Sequence, residues 1–160
     1  MTDLKGTDLI VEPGVHELTI TRDFAAPREQ VFALLTDPEQ IPHWWGPSYL
    51  TTVVDAMQPR SGGNWRFVQT APDGSEHAFH GVYHDVTGPE RIVLTFEYEG
   101  TPGHVDLETT VLEDHGDTTR MIVTSVFQSV ADRDAMVASG MEGGMRETWE
   151  RFAEQLAKQS

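Results

Sequence analysis

The chain has 160 residues, 38% of them hydrophobic, which is enough to bury the core of one globular domain. Its 26 Asp and Glu outnumber its 11 Lys and Arg, and the net charge of -15 argues against partners such as nucleic acid or an anionic membrane surface. The absence of cysteine excludes a disulfide framework, a thiolate metal site and a cysteine nucleophile. No signal peptide or membrane-spanning segment is recognisable, so a cytoplasmic protein is expected.

The N-terminal residues predict a short lead followed by a strand. Residues 1–14 are polar and end in Pro-Gly, and we expect them to form a loose arm or an edge strand. Residues 15–158 are expected to form one domain. Residues 16–24 alternate between apolar and polar side chains, which is typical of a half-buried strand.

Two short helices are predicted next. Pro27 opens the first helix at a position where its missing N–H costs nothing. That helix ends at Thr36, because Pro38 restricts the backbone of the residue before it. Asp37 is expected to cap a second helix that ends near His43.

The middle of the chain predicts six further strands joined by short turns. They lie at residues 50–57, 63–70, 77–86, 91–98, 105–112 and 118–127. Consecutive hairpins imply antiparallel pairing and therefore an α+β fold.

A long amphipathic helix is predicted over residues 131–158. Its apolar residues recur at helical spacing: Met136, Val137, Met141, Met145, Trp149, Phe152 and Leu156. Glycines at 140, 143 and 144 are costly in a helix interior and can divide it into segments at 131–139 and 145–158. The predicted fold is a curved antiparallel sheet that grips this helix, with two short helices after the first strand.

Five different short motifs follow one another along the chain. They are Trp44-Trp45-Gly46-Pro47, Gly63-Asn64-Trp65-Arg66-Phe67, Pro72-Asp73-Gly74, Gly81-Val82-Tyr83 and Trp149-Glu150-Arg151-Phe152. Together, over residues 15–158, they resemble the heat-shock-protein-90 ATPase activator homologue-like family of the START-related, birch-pollen-allergen-like superfamily. The resemblance implies the helix-grip fold and, for single-domain members, binding of small hydrophobic molecules. Some relatives in the superfamily are aromatase/cyclase or hydrolase-like enzymes.

Several polar residues share a strand face with apolar ones, and a buried polar group must find a partner or a ligand. Arg22 is the strongest case, because a buried guanidinium needs an anion or a carbonyl. With the aromatic and methionine residues that face the same space, the predicted ligand-binding residues are Arg22, Trp44, Trp45, Trp65, Phe67, Gln69, Tyr83, Phe96, Tyr98, Thr109, Ser125, Met141, Met145 and Trp149.

Other polar residues are expected to face solvent. Asp106 and Glu108 alternate with Val105 and Leu107, so the two carboxylates are placed on the outer face together with residues 97 and 99. Histidines at 77, 80 and 84 do not predict a metal site, because residues four apart on a strand lie roughly 13 Å from each other. No metal, cofactor or catalytic residue is predicted.

The sequence therefore favours a binding module over an enzyme. The expected ligand is a small, mainly hydrophobic molecule held between the sheet and the C-terminal helix. One alternative is a cyclase- or dehydratase-type enzyme acting on a polyketide-like or aromatic substrate, with Tyr83, Tyr98 or His80 as its acid or base. Another is a stress- or chaperone-linked interaction module with a large exposed apolar patch. The oligomeric state is left open, a homodimer included.

Overall fold

In the computed structural model, which describes residues 6–159, antiparallel strands form one open sheet. The strands are β1 (Asp8–Ile10), β2 (Glu17–Phe24), β3 (Thr51–Met57), β4 (Asn64–Thr70), β5 (Glu76–Thr87), β6 (Arg91–Tyr98), β7 (Val105–His115) and β8 (Thr118–Val126). Their order across the sheet is β1-β2-β8-β7-β6-β5-β4-β3. The predicted α+β fold is confirmed, and the N-terminal lead contributes an edge strand.

The helices lie between β2 and β3 and after β8. They are α1 (Arg28–Thr36), α2 (Ile41–Trp44), α3 (Val130–Ala138) and α4 (Met141–Gln159). No helix within residues 6–159 combines the length and the apolar character that crossing a membrane requires.

The second helix is shorter than the sequence predicts. It begins at Ile41 with Gln40 at its N-cap, whose side chain makes no capping hydrogen bond. Asp37 instead accepts a hydrogen bond from the backbone N–H of Glu39 at 3.0 Å, which forms a local turn before the helix. The predicted capping by Asp37 is therefore wrong, because an aspartate can satisfy a turn as readily as a helix end.

The C-terminal helix is broken, as the glycines predicted. Ser129 caps α3 by accepting a hydrogen bond from the N–H of Asp132 at 3.0 Å. Between α3 and α4 the backbone of Gly140 has a φ of +85°, a conformation that L-residues rarely adopt. Gly143 and Gly144 lie inside α4, so the last helix begins at Met141 rather than at residue 145.

Aromatic packing fixes α4 against α2 and the sheet. Trp44 stacks on Trp149 with ring centroids 5.6 Å apart, and the edge of Phe152 meets Trp44 at 4.9 Å. Phe24 from β2 contacts Phe152 at 5.0 Å. Arg151 adds polar ties, since its guanidinium donates to backbone carbonyls in and just after α2. These contacts hold α4 against α2 and against β2 at the inner face of the sheet.

Strand β7 presents the opposite face from the one predicted. Asp106 is only 4% exposed, whereas Leu107 is 43% exposed. The register is the cause: Asp106 pairs with Phe96 of β6, and Glu108 pairs with Ser125 of β8. Directly paired residues project to the same side of a sheet, so the two carboxyl groups point inward with their partners.

Candidate ligand cavity

Three adjoining cavities lie between the inner face of the sheet and the helices. The central cavity, about 300 Å³, lies under α4, and the inner cavity, about 130 Å³, reaches toward α2. The α3 cavity, about 370 Å³, lies against α3. Asp106 lines both the α3 cavity and the central cavity, Glu108 lines both the central and the inner cavity, and Phe96 lines all three.

Aromatic side chains form most of the wall opposite α4. The ring of Trp45 meets Phe67 and Phe79 edge-on, with centroids 5.1 and 5.3 Å away. Phe96 lies 5.5 Å from Phe79 and 5.8 Å from Trp65. These contacts, edge-to-face for Trp45 and tilted for Phe96, fix the positions of the large rings. The cavities therefore have rigid apolar walls.

The wall opposite the aromatic side chains is the first half of α4, and it is more deformable than the aromatic wall. Met141, Met145 and Thr148 face the central cavity from this helix, and Gly144 leaves the helix surface bare between them. A Cβ placed on Gly144 would meet no atom within 4 Å. Flexible methionine side chains beside open space allow this wall to adapt to different apolar shapes.

Asp106 and Glu108 form a carboxyl pair inside this apolar space. A hydrogen bond joins the two side chains. Burial raises the pKa of Asp106 well above its usual range, and the nearby negative charge of Glu108 raises it further. Burial also raises the pKa of Glu108. The pair therefore retains a proton at pH values where exposed carboxyl groups have lost theirs, and protonated Asp106 donates to Glu108.

Further polar groups in the cavities have no hydrogen-bond partner among residues 6–159. The indole N–H of Trp44 is buried and unpaired. Ser125 is 5% exposed, and its hydroxyl makes no hydrogen bond with the described residues. The hydroxyl of Tyr83 likewise makes no hydrogen bond with the described residues, and burial raises the pKa of Tyr83. A mostly apolar cavity with a few convergent polar groups is typical of a small-molecule site.

Most of the predicted site residues line these cavities. They are Trp44, Trp45, Trp65, Phe67, Gln69, Tyr83, Phe96, Tyr98, Ser125, Met141, Met145 and Trp149. Their common location follows from the inward faces of β4, β5, β6 and β8. Their part in binding a ligand stays a prediction.

Two predicted site residues lie elsewhere. Thr109 shares a strand face with Leu107, and the register of β7 turns that face outward. Arg22 is buried as predicted, but it lines none of the three cavities. Its guanidinium lies 3.4 Å from the carboxylate of Glu150 on α4 and 3.3 Å from the hydroxyl of Thr7. The anion that Arg22 requires is thus supplied by the protein.

The acid–base candidates of the sequence differ in position from the carboxyl pair. His80 lies between Glu97 and Glu99, with ring-to-carboxylate distances of 3.4 and 2.9 Å, and lines none of the three cavities. Tyr98 lines the α3 cavity, and its hydroxyl bonds to His77 at 2.9 Å. The sequence alone places Asp106 and Glu108 on the outer face, because the alternation of polar and apolar residues in β7 fits either face of the sheet.

The fold and the cavity define a class of protein: a helix-grip module with a partly open space between its sheet and its last helix. The chain belongs to the family described as Activator of Hsp90 ATPase homolog 1-like protein, whose sequence model matches residues 25–158.

Solved structures support the assignment of the fold. A crystal structure of a Rhodobacter sphaeroides protein is 27% identical, with a TM-score of 0.88, and the match covers 96% of this chain and 99% of that one. A solution structure of an Arthrobacter aurescens protein is 26% identical, with a TM-score of 0.87 and coverage of 94% and 91%. Both proteins are structural genomics targets. No curated protein matches the sequence.

Proposed function

We propose that this protein binds a small, mainly apolar molecule in the central and inner cavities, between the sheet and α4. The observation that carries the proposal is the size of the space, about 300 Å³ in the central cavity alone. Protein interiors are close-packed, so side chains would normally fill a space of this size behind aromatic walls. Empty apolar space in a core lowers stability, so a ligand that fills it gains both burial and contacts.

Binding is tested by thermal denaturation with panels of fatty acids, flat aromatic compounds and flavonoids. A ligand at a hundred times its Kd stabilises the folded state by about 2.7 kcal/mol. For a domain of this size that corresponds to a rise in Tm of roughly 5–10 °C. We expect at least one apolar class to produce such a shift.

A matched pair of variants locates the binding. Gly144→Leu places a side chain into the central cavity, whereas Gly143→Leu, on the adjacent residue, adds the same side chain at an exposed position that does not line it. Both changes favour the helix. The ligand-induced shift should be lost in Gly144→Leu and retained in Gly143→Leu. Equal shifts in both variants would place the ligand outside the central cavity, and no shift with any class would reject the proposal.

A second candidate function, proton-transfer catalysis on an aromatic or polyketide-like substrate, is favoured by the carboxyl pair. A carboxylic acid that keeps its proton in an apolar cavity can donate it to a carbonyl oxygen, and its ionised partner can accept one. We expect faster ring opening of benzisoxazole, a general test of proton abstraction, than in an equal concentration of acetate. The Asp106→Asn/Glu108→Gln double variant should lose that acceleration. Equal rates in the wild type and the double variant would exclude this role.

A further inference from the structure

The carboxyl pair has no cationic partner among the described residues that line its cavities. No Lys or Arg is among the residues that line the three cavities within the described part of the chain. Elsewhere on the sheet, two partly exposed carboxylates do have a cationic partner: Arg66 binds Glu99 at 2.8 Å, and Arg120 binds Asp23 at 2.8 Å. Burying carboxyl groups without a counter-charge is costly, so their presence in this cavity calls for a ligand that supplies the missing charge.

Ser125 points to the same ligand independently. It stands directly across from Glu108 on β8, lines the central cavity and has no hydrogen-bond partner within residues 6–159. The hydroxyl oxygen and the two carboxyl groups thus offer three sets of acceptor lone pairs on one wall. An ammonium group has three N–H donors and matches that number.

The aromatic wall suits a cation as well. Phe96 pairs directly with Asp106 in the register of β6 and β7, and Trp45 lines the central cavity beside it. The face of an aromatic ring attracts a nearby cation, most strongly where water is excluded. A metal ion is less well matched, because no third His, Cys, Asp or Glu of residues 6–159 joins the pair in a possible metal-holding group.

We propose that the central cavity is selective for apolar molecules that carry a protonated amine, with the ammonium group bound between Asp106, Glu108 and Ser125. This inference rests on the proposed function, because the apolar body of the amine would occupy the same cavities. The chain's net charge of -15 also draws cations toward the protein.

Binding of an ammonium group displaces the proton that the pair holds. The proton leaves to solvent, and the ammonium takes its place as the positive partner, so charge is conserved in the cavity. Since the pKa of Asp106 is raised, the displacement becomes easier as pH rises from 5 to 8. The other titratable groups that line the same cavities are Tyr83, Tyr98, His104 and Asp132, the last two paired at 3.0 Å.

Isothermal titration calorimetry with three probes tests the selectivity: naphthylethylamine, its neutral isostere naphthylethanol, and the anion naphthylacetate. At pH 8 we expect the amine to bind at least about tenfold more tightly than the alcohol, as charge-assisted hydrogen bonds do over neutral ones. Titrations in buffers of different ionisation enthalpy should show proton release with the amine and none with the alcohol. This second measurement needs no variant.

Variants separate the two levels of the proposal. The Asp106→Asn/Glu108→Gln double variant should bind the amine and the alcohol equally, and Glu97→Gln, an outward carboxylate on β6, should behave as wild type. Equal affinity for amine and alcohol in the wild type would overturn the selectivity and leave apolar binding intact. Failure of all three probes, together with no Tm shift from the wider panels, would overturn both proposals.

Discussion

Replacing Asp106 by Asn should make the protein more stable at neutral pH and less dependent on pH. The folded chain holds a proton at Asp106 that the unfolded chain has lost above its usual pKa of about 3.9. Stability present below that pH is therefore lost as pH rises toward the raised folded-state pKa. The asparagine amide keeps a donor for Glu108 but has no proton to lose.

The magnitude follows from proton linkage. One proton held only by the folded state lowers the free energy of unfolding by about 1.4 kcal/mol for each pH unit. Between pH 5.5 and 7.5, Asp106→Asn should therefore gain about 2–3 kcal/mol on the wild type. Such a gain is a large part of the 5–15 kcal/mol typical of a domain and shifts Tm by roughly 5–10 °C.

Urea denaturation of the wild type and the variant at both pH values measures this gain. The comparison cancels other titrating groups, including the seven histidines. Glu154→Gln, an exposed change on α4, controls for loss of a negative charge and should give no pH-dependent difference. If the difference in unfolding free energy between Asp106→Asn and the wild type is the same at pH 5.5 and 7.5, Asp106 does not hold the extra proton of the folded state.

Five further substitutions test α4, the break before it and the buried arginine. Gly144→Ala and Gly143→Ala should each stabilise α4 by about 0.5–1 kcal/mol in chemical denaturation, since neither Cβ meets an atom, and only the first should alter affinity for apolar ligands. Gly140→Ala should destabilise by about 1–2 kcal/mol because of its positive φ, and unchanged stability would contradict the break between α3 and α4. Arg22→Ala should cost about 2–3 kcal/mol without changing ligand affinity, whereas Glu150→Gln, at an exposed partner, should cost under about 1 kcal/mol.

Much of the fold could be predicted because alternation and turn chemistry agree in most strands. On β8, alternation puts Met121, Val123 and Ser125 on one face, and all three are buried. The glycine interruption of the last helix was equally readable, since Gly140 adopts a conformation that other residues avoid.

The carboxyl pair could not be found from β7 alone, because regular alternation fits either face of a sheet. Alternation puts Leu107 and Val111 on the same face of β7, and the expectation that Asp106 and Glu108 face solvent places that face in the core, yet both apolar residues are exposed. The information that decides which face of β7 is buried lies in the hairpin between β7 and β8. A two-residue turn at Gly116-Asp117 fixes the register of β7 on β8, and the inward position of Ser125 then places Glu108 inside.

The partner of Arg22 differs from the sequence-based prediction because it comes from a distant part of the chain. The partner of Arg22 comes from α4, 128 residues further along the chain, and strand alternation carries no information about it. The pattern shows that Arg22 is buried and that it needs an anion, but not whether the protein or a ligand supplies one.

Native mass spectrometry of freshly purified protein, with and without added apolar compounds, tests the presence of a ligand in the cavity most directly. We predict a small-molecule adduct on the wild type and on Gly143→Leu, and a marked loss of it on Gly144→Leu, whose side chain fills the central cavity. Equal occupancy in all three proteins, or no adduct with any apolar compound, would contradict binding between the sheet and α4.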